Sequence, residues 1–108
     1  MNRFLAHSGV RFPIVQAPMG WIARRTLAGA VSRAGGLGVI ETSSGDTAGC
    51  QAEISAMLEA GLPFGVNLPL RFLKDDAMLR YVCTAGLRFV TTSAGSPAKF
   101  IAPLKDAG

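Results

Sequence analysis

Four short apolar runs recur along the chain at nearly even intervals: Pro13-Ile14-Val15-Gln16, Leu37-Gly38-Val39-Ile40, Phe64-Gly65-Val66-Asn67-Leu68 and Arg88-Phe89-Val90-Thr91-Thr92. Their first residues stand 24, 27 and 24 positions apart. The runs are continuous rather than alternating and rich in Val, Ile and Phe, the pattern of strands covered on both faces. Every gap between them carries a helical pattern. Arg24 to Ala34 sets Leu27, Ala28, Val31 and Ala34 on one stripe before the stop at Gly35-Gly36. Thr47 to Ala60 spaces Ile54, Met57 and Leu58 helically and ends at Gly61. Asp75 to Ala85 repeats Met78, Leu79 and Val82 before Gly86, with two Asp where a helix dipole is positive. A fourth helix is predicted after Ser96, with Pro97 in its first turn, ending at Asp106-Ala107-Gly108.

Strands alternating with helices at this period predict an α/β fold of right-handed β-α units on a parallel sheet. No linker or composition shift divides the 108 residues, which read as one continuous array. A closed (β/α)8 TIM barrel needs eight strands in about 250 residues, so four units are expected to be half of one. Such a half-barrel leaves two sheet edges open and favours a homo-oligomer or a complementing barrel half as partner.

A hydrophobic content of 49% with thirteen Gly and 17% charged residues describes a turn-rich globular chain. The formal charge of +4 is scattered, with Arg24-Arg25 the one adjacent basic pair, so no nucleic acid is expected as partner. A phosphate-bearing cofactor fits that excess more easily. Cys50 and Cys83 match neither a CxxC nor a zinc spacing; reduced thiols and no metal are expected. The N-terminus has no signal-peptide core, and no window approaches the roughly 18 apolar residues of a membrane span. A soluble, cytoplasmic protein with no membrane contact is the expectation.

Parallel sheets of this kind bind ligands beyond the carboxyl ends of their strands. The segments there are Gln16-Ala17-Pro18-Met19-Gly20, Glu41-Thr42-Ser43-Ser44-Gly45, Asn67-Leu68-Pro69 and Thr91 to Pro97. They contain neither His nor Lys, and Glu41 is the one carboxylate available among them. In the first loop Pro18 fixes φ and removes a donor, while Gly20 permits close approach. Met19 between them is either core filler or a ligand contact. Asn67 closes an apolar run, where its amide either steadies the loops or hydrogen-bonds a cofactor. Thr92 and Ser93 either cap the next helix or meet a ligand's polar edge, and Ser96 reads as a cap. Trp21 covers a flat ligand or shields the rim. His7 precedes the first strand and so belongs to the opposite, structural end. Gly35-Gly36-Leu37-Gly38 precedes a strand rather than opening a helix, which argues for turn geometry over phosphate binding.

The sequence resembles the nitronate monooxygenase family, formerly 2-nitropropane dioxygenases, which also includes flavin-dependent enoyl-ACP reductases. The resemblance rests on PIVQAPMGWIA, LAGAVSRAGGLGVI, PFGVNLPL and VTTSAGSP, in that order and spacing, over nearly the whole chain. It implies an FMN-binding barrel in which Pro18, Met19 and Gly20 pack along FMN, Asn67 hydrogen-bonds the flavin region, and Thr92 and Ser93 line the same pocket. It also implies an oxidoreductase oxidising alkyl nitronates with oxygen; an NAD(P)H-dependent enoyl-thioester or quinone reductase is the alternative within the fold. A non-catalytic, self-associating half-barrel is the alternative outside it. Where the family often carries a hydroxyl after Gly-Val-Asn, this chain has Pro69. The family's catalytic His, phosphate loops and substrate lid are expected beyond Gly108, so 1–108 is read as the amino-terminal half of one FMN-binding barrel, inactive alone.

Overall fold

The structure, a computed structural model, describes residues 2–108. In chain order these form α1 (Arg3–Ser8), α2 (Arg25–Arg33), β1 (Gly38–Ile40), α3 (Thr47–Glu59), β2 (Phe64–Pro69), α4 (Ala77–Thr84), β3 (Phe89–Ser93) and α5 (Ile101–Asp106), with a 3-10 turn at Leu70–Phe72. The three strands lie parallel in the order β1-β2-β3. All six residues of β2 are buried, as a strand covered on both faces must be.

Pairing fixes which side chains share a face. Gly65, Asn67 and Pro69 stand opposite Phe89, Thr91 and Ser93, and Val39 stands opposite Gly65. Alternation turns Phe64, Val66 and Leu68 the other way, where they join Ile40, Ala28, Cys50, Ile54, Met57, Met78 and Val82 in the main core under the helices. The opposite, inner face carries a second core of Val10, Leu37 and Val39 beneath Phe4, Leu5 and Phe89. Phe4 meets Phe89 edge-on at 5.8 Å. The α1 helix thus closes the amino-terminal end of the sheet, and Arg88 holds it there by donating to the carbonyls of His7 (2.6 Å) and Ala6 (2.8 Å).

The first apolar run departs from the expected strand. It pairs only as a bridge, Val15 with Leu37, through Leu37 N–H to Ile14 C=O (2.8 Å) and Gln16 N–H to Leu37 C=O (2.9 Å). The next rung of a parallel ladder would take an N–H from Pro18, which has none. The Gln16 side-chain amide replaces it: Nε2 donates to the Val39 carbonyl (3.1 Å) and Oε1 accepts from the Val39 N–H (3.3 Å). The backbone is thereby released into the Pro-Met-Gly turn without orphaning Val39. The last helix also starts later than expected: Phe100 and Ile101 bond back to the Pro97 carbonyl in a turn, and α5 follows.

Gly38 faces α2 so closely that a Cβ there would collide with the Ala28 carbonyl. Because the obstacle is backbone, relief requires moving α2 off the sheet. Gly38→Ala is expected to cost about 3 kcal/mol in urea unfolding; an unchanged midpoint would show that α2 is not seated as described.

Candidate functional site at the carboxyl ends of the strands

Three strand ends are tied by one row of polar side chains. The Thr42 hydroxyl donates to the Asn67 carbonyl (2.6 Å), the Thr91 hydroxyl to Asn67 Oδ1 (2.8 Å), and Asn67 Nδ2 to Ser93 Oγ (3.1 Å). Asn67 is 5% exposed, so leaving its amide unmade would be costly. The row uses one amide hydrogen and one lone pair of Asn67, leaving the second of each for another partner. Thr91 was not among the residues the sequence singled out; its part depends on a register between strands that apolar patterning does not carry.

Beside this row stands the loop from Ala17 to Arg24. The Met19 carbonyl accepts from Ile22 N–H (3.1 Å) and Ala23 N–H (2.8 Å), folding the turn back on itself. Met19 is exposed, and Gly20 approaches Ser43, whose Oγ would lie 3.2 Å from a Cβ at that position. Trp21 has φ 65° and Ala94, after β3, has φ 53°; among the described residues they are the non-glycine positions with positive φ. Both lie on loops at the same end of the sheet. Left-handed backbone at residues with a Cβ costs about 1–3 kcal/mol each and gathers where a loop's shape serves a ligand.

The loop is anchored from below by Glu41, 1% exposed. Its backbone N–H donates to the Ala23 carbonyl (2.9 Å). Its Oε2 accepts from the N–H groups of Ser43 (3.1 Å) and Ser44 (3.3 Å), and its Oε1 pairs with Arg24 Nη2 (3.2 Å). Arg24 also reaches Asp46 (3.2 Å) and Ser44 Oγ (3.2 Å), and its guanidinium lies 4.7 Å from the centre of the Trp21 ring. Burial would raise the Glu41 carboxyl, but hydrogen bonds from Ser44, the Trp21 backbone and Arg24 outweigh it and hold the group below the usual carboxylate range. Burial likewise opposes the charge on Arg24, and bonds to Asp46 and Glu41 override it. Burial pushes the neighbouring Cys50 thiol up, against an opposing bond with Ser44. Both cysteines are free. The carboxylate expected to be available is therefore fully engaged, and Glu41 is an ionised anchor rather than a proton donor.

Of the six residues the sequence proposed, Pro18, Met19 and Gly20 share the turn, while Asn67 and Ser93 are joined by a hydrogen bond. Thr92 stands opposite Leu68 in the ladder, so alternation turns it from the face that Asn67 and Ser93 occupy. The segment Glu41 to Ser43 links the two groups, bonding to the loop at one end and to Asn67 at the other. His7 lies at the far end, its ring 5.1 Å from that of Phe89. What results is an apolar turn and a polar row with spare hydrogen-bonding capacity at the same end of the sheet.

The family model for nitronate monooxygenase matches residues 2–98. The chain belongs to the nitronate monooxygenase family. Members of this family are flavin oxidoreductases. The solved structure of FabK from Thermotoga maritima superposes on all of this chain with a TM-score of 0.87 and 34% identity, the match taking 35% of that chain. A variant of the same protein gives 0.87 at 32% identity. The β-α units described above are thus units of a (β/α)8 barrel. Among curated proteins, the (3aS,4S,5R,7aS)-5-hydroxy-7a-methyl-1-oxo-octahydro-1H-indene-4-carboxyl-CoA dehydrogenase of Mycobacterium tuberculosis is 29% identical over 103 residues, 93% of this chain and 28% of its own length. Its Rhodococcus jostii counterpart is 28% identical over 101 residues, 93% of this chain and 29% of its own length. The chain therefore spans less than a third of the curated relatives it matches. No helix among the described residues is long and apolar enough to cross a membrane.

The lowered carboxyl of Glu41 makes a signed prediction. Its contribution to stability is complete above the unfolded value of about 4.3 and is lost as pH falls through the lower folded value. Urea midpoints of the intact protein should therefore drop on the acid side, and Glu41→Gln should flatten that drop. Glu41→Ala, which leaves Arg24 with Asp46 as its carboxylate and removes the acceptor of the Ser43 and Ser44 N–H groups, should cost about 2 kcal/mol at neutral pH. Superimposable acid limbs for wild type and Glu41→Gln would rule out the anchor.

Proposed function

We propose that residues 1–108 supply the amino-terminal half of one FMN-binding barrel and form a wall of its flavin site. The observation that carries this reading is Asn67, a buried amide at a strand's carboxyl end that keeps one N–H and one lone pair unused. An isoalloxazine edge offers the matching acceptors and donors, and its flat face suits the apolar turn at Pro18, Met19 and Gly20. Bound FMN would supply the electron-transfer chemistry. The chain's own part is to orient it: Asn67 meets the polar edge, Thr91 and Ser93 hold Asn67 in place, and the turn excludes water from one face. Thr92 takes no direct part in this arrangement.

The reaction we propose is oxidation of an alkyl nitronate with oxygen, the activity in the name of the family to which the chain belongs. A second reading, reduction of an unsaturated acyl thioester by NAD(P)H, is favoured by the likeness to two carboxyl-CoA dehydrogenases and to FabK. Both readings use the same flavin wall. Oxygen uptake with an alkyl nitronate, set against NADH oxidation with an enoyl-CoA, separates them in the intact protein.

Asn67→Leu keeps the volume of the side chain while removing its hydrogen bonds. Titration of FMN followed by flavin fluorescence should show its Kd raised about tenfold. Equal affinity in wild type and variant would remove the basis of the proposed site.

A further inference from the structure

The edge of β1 that faces the first apolar run is served in three different ways. At Leu37 the partner is backbone: its N–H reaches the Ile14 carbonyl and its carbonyl takes the Gln16 N–H. At Val39 both groups go to the Gln16 side chain, the N–H to Oε1 (3.3 Å) and the carbonyl to Nε2 (3.1 Å). At Glu41 the N–H goes to the Ala23 carbonyl (2.9 Å). Alternation turns the groups of all three residues to the same edge. The loop Ala17 to Ile22 is thus slung between two backbone rungs, with a side chain supplying the rung between them. Nε2 also donates to the Ala17 carbonyl, the first of the loop.

Little else attaches this loop to the sheet. From Arg11 to Ile22, Gln16 is the one residue that is not exposed. The bonds from Ile22 and Ala23 to the Met19 carbonyl shape the loop without tying it down. Leu37 and Glu41 lie four positions apart, about 13 Å of strand, whereas the six loop residues can reach about 20 Å. The loop is longer than its span, so chain length does not dictate its path. No backbone shift can take over the middle rung either, because Pro18 has no N–H to offer.

We propose that Gln16 is a positioning residue for the ligand-facing loop, its side-chain amide fixing the point at which Ala17 to Ile22 leaves the sheet. The role needs a donor and an acceptor together at the reach of this side chain. Asn lacks the reach, an ionised Glu lacks the donor, and Leu lacks both. Val39 is 1% exposed, so losing the amide either strands buried backbone groups or shifts the loop to admit water. That shift carries Pro18, Met19 and Gly20 with it. The inference rests on the flavin-wall reading for its ligand measurement, while the attachment itself is read without ligand.

Gln16→Glu is the decisive variant. Its carboxyl, when protonated, again offers an O–H to the Val39 carbonyl and an oxygen to the Val39 N–H; when ionised, it sets a charge against that carbonyl. Burial and the facing carbonyl raise its titration above the ordinary value of about 4.3, clear of Glu41, which is held below the usual range. In the intact protein, FMN titrated by flavin fluorescence should bind Gln16→Glu about tenfold more weakly than wild type at about pH 8, and within about threefold of it at about pH 5. Gln16→Leu should stay about tenfold weaker at both. Without ligand, hydrogen exchange at the Val39 amide should quicken about tenfold in Gln16→Leu. A purely structural role would lower the urea midpoints and leave the FMN Kd of the folded variants at the wild-type value. That result, unchanged Val39 exchange, or no recovery of Gln16→Glu at the lower pH overturns the proposal. Should Gln16→Leu fail to fold, the recovery of Gln16→Glu still decides. If FMN does not bind the wild type, the flavin-wall reading falls and Val39 exchange alone decides the role of Gln16.

Discussion

Burial of β2 on both faces is the constraint from which the rest of the architecture follows. Six consecutive residues out of water require cover on each side, and the two covers differ. Outside, α3 and α4 bring Cys50, Ile54, Met57, Met78 and Val82 against Phe64, Val66 and Leu68. Inside, the cover changes along the strand. It is apolar where Phe89 and Val39 flank Gly65 and becomes polar where Thr91 and Ser93 flank Asn67. That gradient puts the hydrogen-bonding groups at the carboxyl end, where the loops converge, and leaves the amino-terminal end to be sealed by α1.

Much of this was legible because periodicity reports burial. Continuous apolar runs separated by helical stripes gave the order of elements and the parallel sheet, and the boundaries of α2, α3 and α4 fall close to those expected. The first run misled because apolarity does not record which backbone donors a ladder needs. Pro18 removes one, and only the position of the Gln16 amide shows how the loss is met. The α1 helix escaped notice because six residues with Phe4, Leu5 and Ala6 as their apolar content are too short to display a period.

The candidate site was legible in part for the same reason. Asn67 stood out as an amide ending an apolar run, and the Pro18-Met19-Gly20 turn stood out by composition. Which of Thr91, Thr92 and Ser93 shares a face with Asn67 depends on strand register, a property of two segments together. Glu41 looked free because its partners are Arg24, 17 residues earlier, and the backbone of the loop that follows it. Charges paired across loops leave no local trace in a sequence.

Arg88 joins the carbonyls of Ala6 and His7 across 82 and 81 residues of chain. Contacts of such separation carry the largest loop-closure entropy in the molecule and gain nothing until the intervening elements are already in place. A six-residue helix has little stability of its own. The seal of the amino-terminal segment over the inner face therefore depends on the strand that follows Arg88 being in register.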